Sequence, residues 1–151
     1  MNPGALTEYA AMGESSRDTR VISALLVFTD PLYLDRLCRN LERDGDIFAE
    51  ISLSGESALE LMRYIQFEVV VAEYSSTDPD PLLLVKSMRN RSLCTPLIYS
   101  VRTEVEAEAA HADPYGPVSF VLRNPGITPQ DPDPLARMIR MCRQGQETPD
   151  P

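Results

Sequence analysis

Two periods of apolar residues alternate along the chain, one suited to strands and the other to helices. Val21–Phe28 is apolar apart from Ser23 and predicts a first, buried strand. Leu34, Leu37, Cys38 and Leu41 then fall at i, i+3, i+4 and i+7, the stripe of an amphipathic helix. Thr29 or Asp30 can cap that helix, with Pro31 suited to its first position, and Asp44-Gly45-Asp46 closes it. Ile47–Leu53 alternates like a half-buried strand at a sheet edge. Ser54–Ser57 leads into a helix whose stripe is Ala58, Leu61, Met62 and Ile65. Within Phe67–Tyr74, the uninterrupted run Val69–Ala72 reads as a strand covered on both faces, ending at the lone acid Glu73.

The second half repeats the alternation. Tyr74–Pro81 is a polar loop whose Asp80 can cap a third helix with Pro81 at its first position, turning Leu84, Val85 and Met88 inward. Leu97–Val101 predicts a fourth strand and Pro117–Leu122 a fifth. Between them Thr103–Ala110 has helix-forming residues but, beyond Val105, only alanines to bury, so it is the helix expected to be held least firmly. Arg123–Pro134 reads as a long loop, and Leu135, Met138, Ile139 and Cys142 give the stripe of a last helix, with Arg137, Arg140 and Arg143 lining another face that reads as solvated. Five strands alternating with five helices describe a flavodoxin-like α/β fold, a three-layer sandwich with helices on both faces of a parallel sheet. Residues 1–20 and 145–151 lack apolar periodicity and are expected to be a disordered arm and tail around one domain, residues 21–144.

Composition narrows the function. The formal net charge of −9 argues against nucleic acid bound through a basic surface. No segment has the apolar length of a membrane span or a secretory leader, so a cytoplasmic protein without a membrane partner is expected. Cys38, Cys94 and Cys142 have no metal-ligand spacing and lie among apolar neighbours, as small buried hydrophobes in a reducing compartment would. His111 is the one histidine, and neither a nucleophile–base arrangement nor a glycine-rich phosphate loop accompanies it. No enzyme is expected.

Five stretches in order carry a family resemblance: Ala24–Pro31, Ser54–Leu61, Phe67–Tyr74, Phe120–Pro125 and Leu135–Arg140. Over residues 20–144 the chain resembles the response-regulator receiver family, and its last helix looks most like that of archaeal receivers. The resemblance implies a CheY-like sheet in the order 2-1-3-4-5. It also implies a phosphorylation crevice at the strand tips: a phosphoacceptor aspartate after the third strand, two Mg²⁺-holding acids after the first, a hydroxyl after the fourth and a lysine after the fifth.

Nearly all of these positions are altered here. The acid pair falls on Phe28 and Thr29, with Asp30 one place later and suited to capping the helix. The phosphoacceptor falls on Glu73, the hydroxyl on Val101 or, with a one-residue slip, on Ser100, and the lysine on Asn124. Glutamate carries its carboxylate about one bond further into the crevice, and a misplacement near 1 Å can cost ~10²-fold in rate. Without the metal carboxylates and the lysine, most electrostatic support for phosphoryl transfer is gone.

These losses imply a pseudo-receiver: a stand-alone signalling module of two-component type that binds protein partners independently of phosphate and needs no Mg²⁺ or other cofactor. A sensor histidine kinase or another receiver is the expected partner, with a homodimer also open. The resemblance places the output face on the fourth helix, fifth strand and fifth helix, which here present Val121, Arg137 and Arg140. Two other readings stay open. One is a divergent phosphoacceptor using Asp30 and Glu73, and the other a small-ligand binder in the crevice. Glu73 itself stands either as a partial mimic of a phosphorylated aspartate or as a solvated acid at a strand end.

Overall fold

The computed structural model describes residues 20–75, 79–111, 118–122 and 134–147. The expected arm at residues 1–19, the loop at 123–133 with Asn124, and residues 148–151 lie outside them. Strands and helices alternate as the periodicity predicts: β1 Ile22–Val27, α1 Pro31–Glu42, β2 Ile47–Ser52, α2 Gly55–Met62, β3 Val69–Glu73, α3 Leu83–Asn90, β4 Leu97–Val101, α4 Glu104–His111, β5 Val118–Leu122 and α5 Pro134–Glu147. The sheet is parallel throughout, in the order β2-β1-β3-β4-β5. This is the CheY-like, flavodoxin-like fold.

Each strand's apolar pattern reflects its place. β3 lies between β1 and β4, so Val69, Val70 and Val71 are wholly buried and no alternation is visible. β2 is an edge strand: Ile47 and Ala49 are buried, whereas Phe48 is 53% exposed. One core cluster forms on the sheet face covered by α1 and α5, joining Leu34, Leu37, Leu41, Leu135 and Ile139 to Leu26, Val71 and Ile98. A second joins Ala58 of α2 and Val85 and Met88 of α3 to Leu25, Val70 and Tyr99. Burial of each large aliphatic side chain contributes about 1.5–3 kcal/mol, so the two sandwiched clusters fix the strand register on which the crevice depends. Val105 of α4 is 76% exposed, in keeping with the weak apolar face expected there.

The helix ends obey the sequence signals in two cases out of three. Asp30 caps α1 ahead of Pro31, and Ser54 caps α2 by accepting from the Ser57 N–H. α3 departs from expectation: it begins at Leu83 and has no side-chain cap. The Asp80 carboxylate instead binds Lys86 Nζ at 3.1 and 3.4 Å, while its backbone carbonyl accepts from Leu83 N–H. Pro81 therefore sits ahead of the helix and not at its first position. α1 closes through Gly45, whose φ of +79° is a conformation costly for a side-chain-bearing residue.

Three further expectations are corrected. α5 continues to Glu147 and so takes in residues 145–147 of the expected tail. Cys94 is exposed, because it sits in the turn between α3 and β4, while Cys38 and Cys142 are half-buried and their thiols are pushed up by burial. Arg143 does not line a solvated face but is buried (8% exposed). Its guanidinium reaches both carboxylate oxygens of Glu68 at 2.7–3.1 Å and the backbone carbonyls of Arg20 and Val21 at 2.6 and 2.9 Å. Among the described residues, no helix is long and apolar enough to cross a membrane.

Candidate functional site

At the carboxyl ends of β1, β3 and β4, three side chains meet. Glu73 is the last residue of β3 and its side chain is 15% exposed. β1 makes its last ladder bond at Phe28, whose N–H donates to the Ser52 carbonyl. The chain then turns toward α1, which leaves the Thr29 N–H without a strand partner. That N–H donates to Glu73 Oε1 at 3.2 Å, and the Thr29 hydroxyl lies 3.1 Å from the same oxygen. Past the end of β4, Arg102 Nη2 stands 3.7 Å from Glu73 Oε2. Glu73 is therefore not a freely solvated acid: one oxygen is held by two neutral donors and the other faces a cation.

Arg102 also joins this site to α4. Its backbone N–H donates to Glu106 Oε1 at 2.8 Å, and the Thr103 hydroxyl accepts from the Glu106 N–H at 3.1 Å. A threonine followed three residues later by a glutamate that reaches back is a helix-start device. The fourth helix thus begins two residues after the arginine whose guanidinium faces Glu73.

The remaining candidate positions have other roles. Phe28 is 1% exposed, belongs to the α1/α5 core and lies against Tyr33 with ring centroids 5.3 Å apart. Asp30 Oδ1 accepts from the N–H groups of Leu32 (3.0 Å) and Tyr33 (3.4 Å). Asp30→Ala is expected to cost about 1 kcal/mol of stability in urea unfolding, the usual worth of such a cap. Ser100 pairs in register with Glu73 and is 4% exposed; Val101 is wholly buried in the α2/α3 core. Both are packed away, and what β4 and its end contribute to the cleft lining is Tyr99 and Arg102.

On the expected output face, Arg137 is exposed while Val121 is half-buried against the α1/α5 core. Arg140 binds Asp46 at 2.6 and 3.0 Å and Asp44 at 3.4 Å, so its charge is engaged within the chain. This guanidinium holds the Asp46 carboxyl below its ordinary range.

These residues do not fit a Mg²⁺ ion, which requires oxygen acceptors arranged about it. Phe28 is a core residue, Thr29 points its N–H and hydroxyl at Glu73, and the Asp30 carboxylate is turned to a helix cap. Among the described residues, no three His, Cys, Asp or Glu side chains gather elsewhere into a cation site. Apolar periodicity holds no sign of Arg102; the one available signal is a basic residue directly after the fourth strand.

No protein-family model matches the chain, and no curated protein matches it. Solved structures do. A response-regulator receiver domain from Francisella superposes with a TM-score of 0.63 at 17% identity, covering 83% of this chain and 99% of its own. A two-component response regulator from Clostridium difficile gives 0.65 at 14%, covering 84% and 99%. The response regulator TrrA from Thermotoga maritima, solved in complex with Mg²⁺–BeF, gives 0.63 at 14%, covering 81% and 99%. At these identities the likeness is one of fold, and the chain has the receiver-domain fold of two-component response regulators.

Proposed function

We propose that the chain is a receiver-like signalling module whose crevice no longer takes a phosphoryl group, and that it acts by binding protein partners in two-component signalling. The observation that carries this reading is the closed state of Glu73. Thr29, standing where a metal-holding acid would be, spends both its donors on Oε1, and Arg102 faces Oε2. A phosphoacceptor needs an exposed carboxylate oxygen in line with the donor and a cation to offset charge on the transferred group. Here the nearest oxygen is occupied and the metal carboxylates are absent.

A sensor histidine kinase or another receiver is the partner that this reading favours, with a second copy of the chain as a further candidate. The archaeal likeness rests on Leu135–Arg140 alone. Of the expected partner face, Arg137 is the residue with an exposed side chain.

The complex with Mg²⁺–BeF described for the Thermotoga maritima protein supplies a test. The same mixture, added to this chain, is expected to leave the ¹⁵N–¹H spectrum unchanged at Thr29, Glu73 and Arg102. Saturable shifts at those amides would show a crevice that still accepts a metal and a phosphoryl-like group, which is the divergent-phosphoacceptor reading.

A further inference from the structure

β2 is an edge of the sheet, so half of its backbone groups have no neighbouring strand. The Ile22 N–H donates to the Asp46 carbonyl and the Phe28 N–H to that of Ser52, so the even-numbered residues of β2 turn their backbone groups to β1. The N–H and C=O groups of Ile47, Ala49 and Ile51 therefore point outward. Beside them the side chains of Phe48 and Ile51 are exposed. An apolar edge of this kind is a template for a further strand.

At its centre the edge is plugged. The Ala49 N–H donates to Glu42 Oε2 at 2.8 Å, and the Cys38 thiol donates to the Ala49 carbonyl at 3.8 Å. Cys38 and Glu42 stand four residues apart, on one face of α1. Burial, and then Glu42, push the thiol up, so it remains an S–H donor at neutral pH. Two side chains of α1 thus hold the N–H and the C=O that an added strand would use. The outward groups of Ile47 and Ile51 have no such partner among the described residues. Of the two clamp bonds, the one to the Glu42 carboxylate is charge-assisted and the stronger.

We propose that the Cys38–Glu42 clamp is an autoinhibitory contact, which holds shut an edge through which two copies of the chain pair by antiparallel β2 strands. A second copy is the occupant that the sequence of β2 fits. With the two-fold axis at Ala49, each Ile47 lies opposite Ile51 of the other copy, and each Phe48 opposite Glu50. Shifting the strands by two residues either way sets like charges face to face, Glu50 against Glu50 or Asp46 against Glu50. Pairing at Ala49 requires both clamps to open, so the closed clamp favours the monomer. This inference goes beyond the pseudo-receiver reading: it uses no residue at the tips of β1, β3 and β4 and holds whether or not the crevice takes a phosphoryl group.

The test compares the full chain with Glu42→Ala by sedimentation over a dilution series and by amide hydrogen exchange. The wild-type chain is expected to be monomeric, with the Ala49 amide exchanging more slowly than that of Ile51. Glu42→Ala, with an unchanged circular dichroism spectrum, should dimerise about 10²-fold more tightly, a factor of ten for the charge-assisted bond that each copy no longer has to break. In that dimer the amides of Ile47, Ala49 and Ile51 should become protected together. Glu42→Gln keeps an acceptor for the Ala49 N–H and should stay monomeric. Adding Ile51→Lys to Glu42→Ala should restore the monomer, because it sets a charge on the edge. The inference fails if Glu42→Ala self-associates no better than wild type, if it grows beyond a dimer, or if its dimer survives Ile51→Lys. Equal exchange at Ala49 and Ile51 in the wild-type chain would also overturn it, and that comparison needs no variant.

Discussion

Replacing Phe28 by aspartate, the residue type that the receiver resemblance places there, is expected to destabilise the chain by about 5 kcal/mol or more. Removal of a buried phenylalanine alone costs about 3–5 kcal/mol, and a carboxyl group left in its place must be buried without a partner. Phe28 is 1% exposed, belongs with Leu26 and Leu34 to the α1/α5 core and lies against Tyr33, so a carboxyl in its place is largely cut off from water. A small domain has a total stability of about 5–15 kcal/mol, so Phe28→Asp should be largely unfolded by circular dichroism. Thr29→Asp should remain folded, since Thr29 is exposed, but would set a second carboxylate against Glu73 Oε1. A Phe28→Asp protein with a wild-type urea midpoint would show that this end of β1 is not core. The consequence for the pseudo-receiver reading is direct: at the first position to which the resemblance assigns a metal-holding acid, an acid cannot be placed without cost to the hydrophobic core.

Arg143→Ala is expected to cost about 3 kcal/mol, the lower end of the range for breaking a buried pair from one side. The substitution leaves Glu68, whose side chain is 26% exposed, without its main counter-ion and strips the Arg20 and Val21 carbonyls of a donor. Burial pushes the Glu68 carboxyl up, but the hydrogen bonds and charge of Arg143, the Ser23 N–H and the charge of Arg20 outweigh it, and the net shift is downward. A carboxyl whose folded value is depressed contributes stability above its unfolded value, near pH 4.3, and that stability is lost as pH falls through the folded value. The gap between wild type and Arg143→Ala should therefore be full at pH 7 and shrink below about pH 4. Asp46 is lowered chiefly by Arg140, which both proteins keep, so it contributes little to this gap. Urea unfolding of both proteins across pH measures this; a gap that stays constant down to pH 3 would show that Glu68 is not the group responsible.

The architecture is legible in the sequence because it is carried by local periodicity. Apolar spacing of 3.6 and uninterrupted β-branched runs mark which segments are covered on one face and which on two, and together they imply a parallel sandwich. The cap at Asp30 is legible for the same reason: Asp-Pro before an apolar stripe is a local signal. Long-range pairing leaves no such mark. Arg143 lies off the apolar stripe of α5 and reads as solvated; only the fold brings it to Glu68, 75 positions away. Asp80 has the right neighbour in Pro81, but α3 begins later and the carboxylate goes to Lys86. The place of Glu73 at the strand tip can be read from the run before it, yet its partners Thr29 and Arg102 come from the ends of two other strands. The resemblance assigns crevice positions from motif order, whereas the bonds joining Thr29, Glu73 and Arg102 appear only in three dimensions.

Whether Glu73 still accepts a phosphoryl group is decided by incubating the chain with acetyl phosphate and Mg²⁺ and measuring its intact mass. An unchanged mass is expected at times that fully modify a working receiver treated alongside. A gain of one phosphoryl group, lost in Glu73→Gln, would contradict the pseudo-receiver reading and identify Glu73 as a functioning phosphoacceptor.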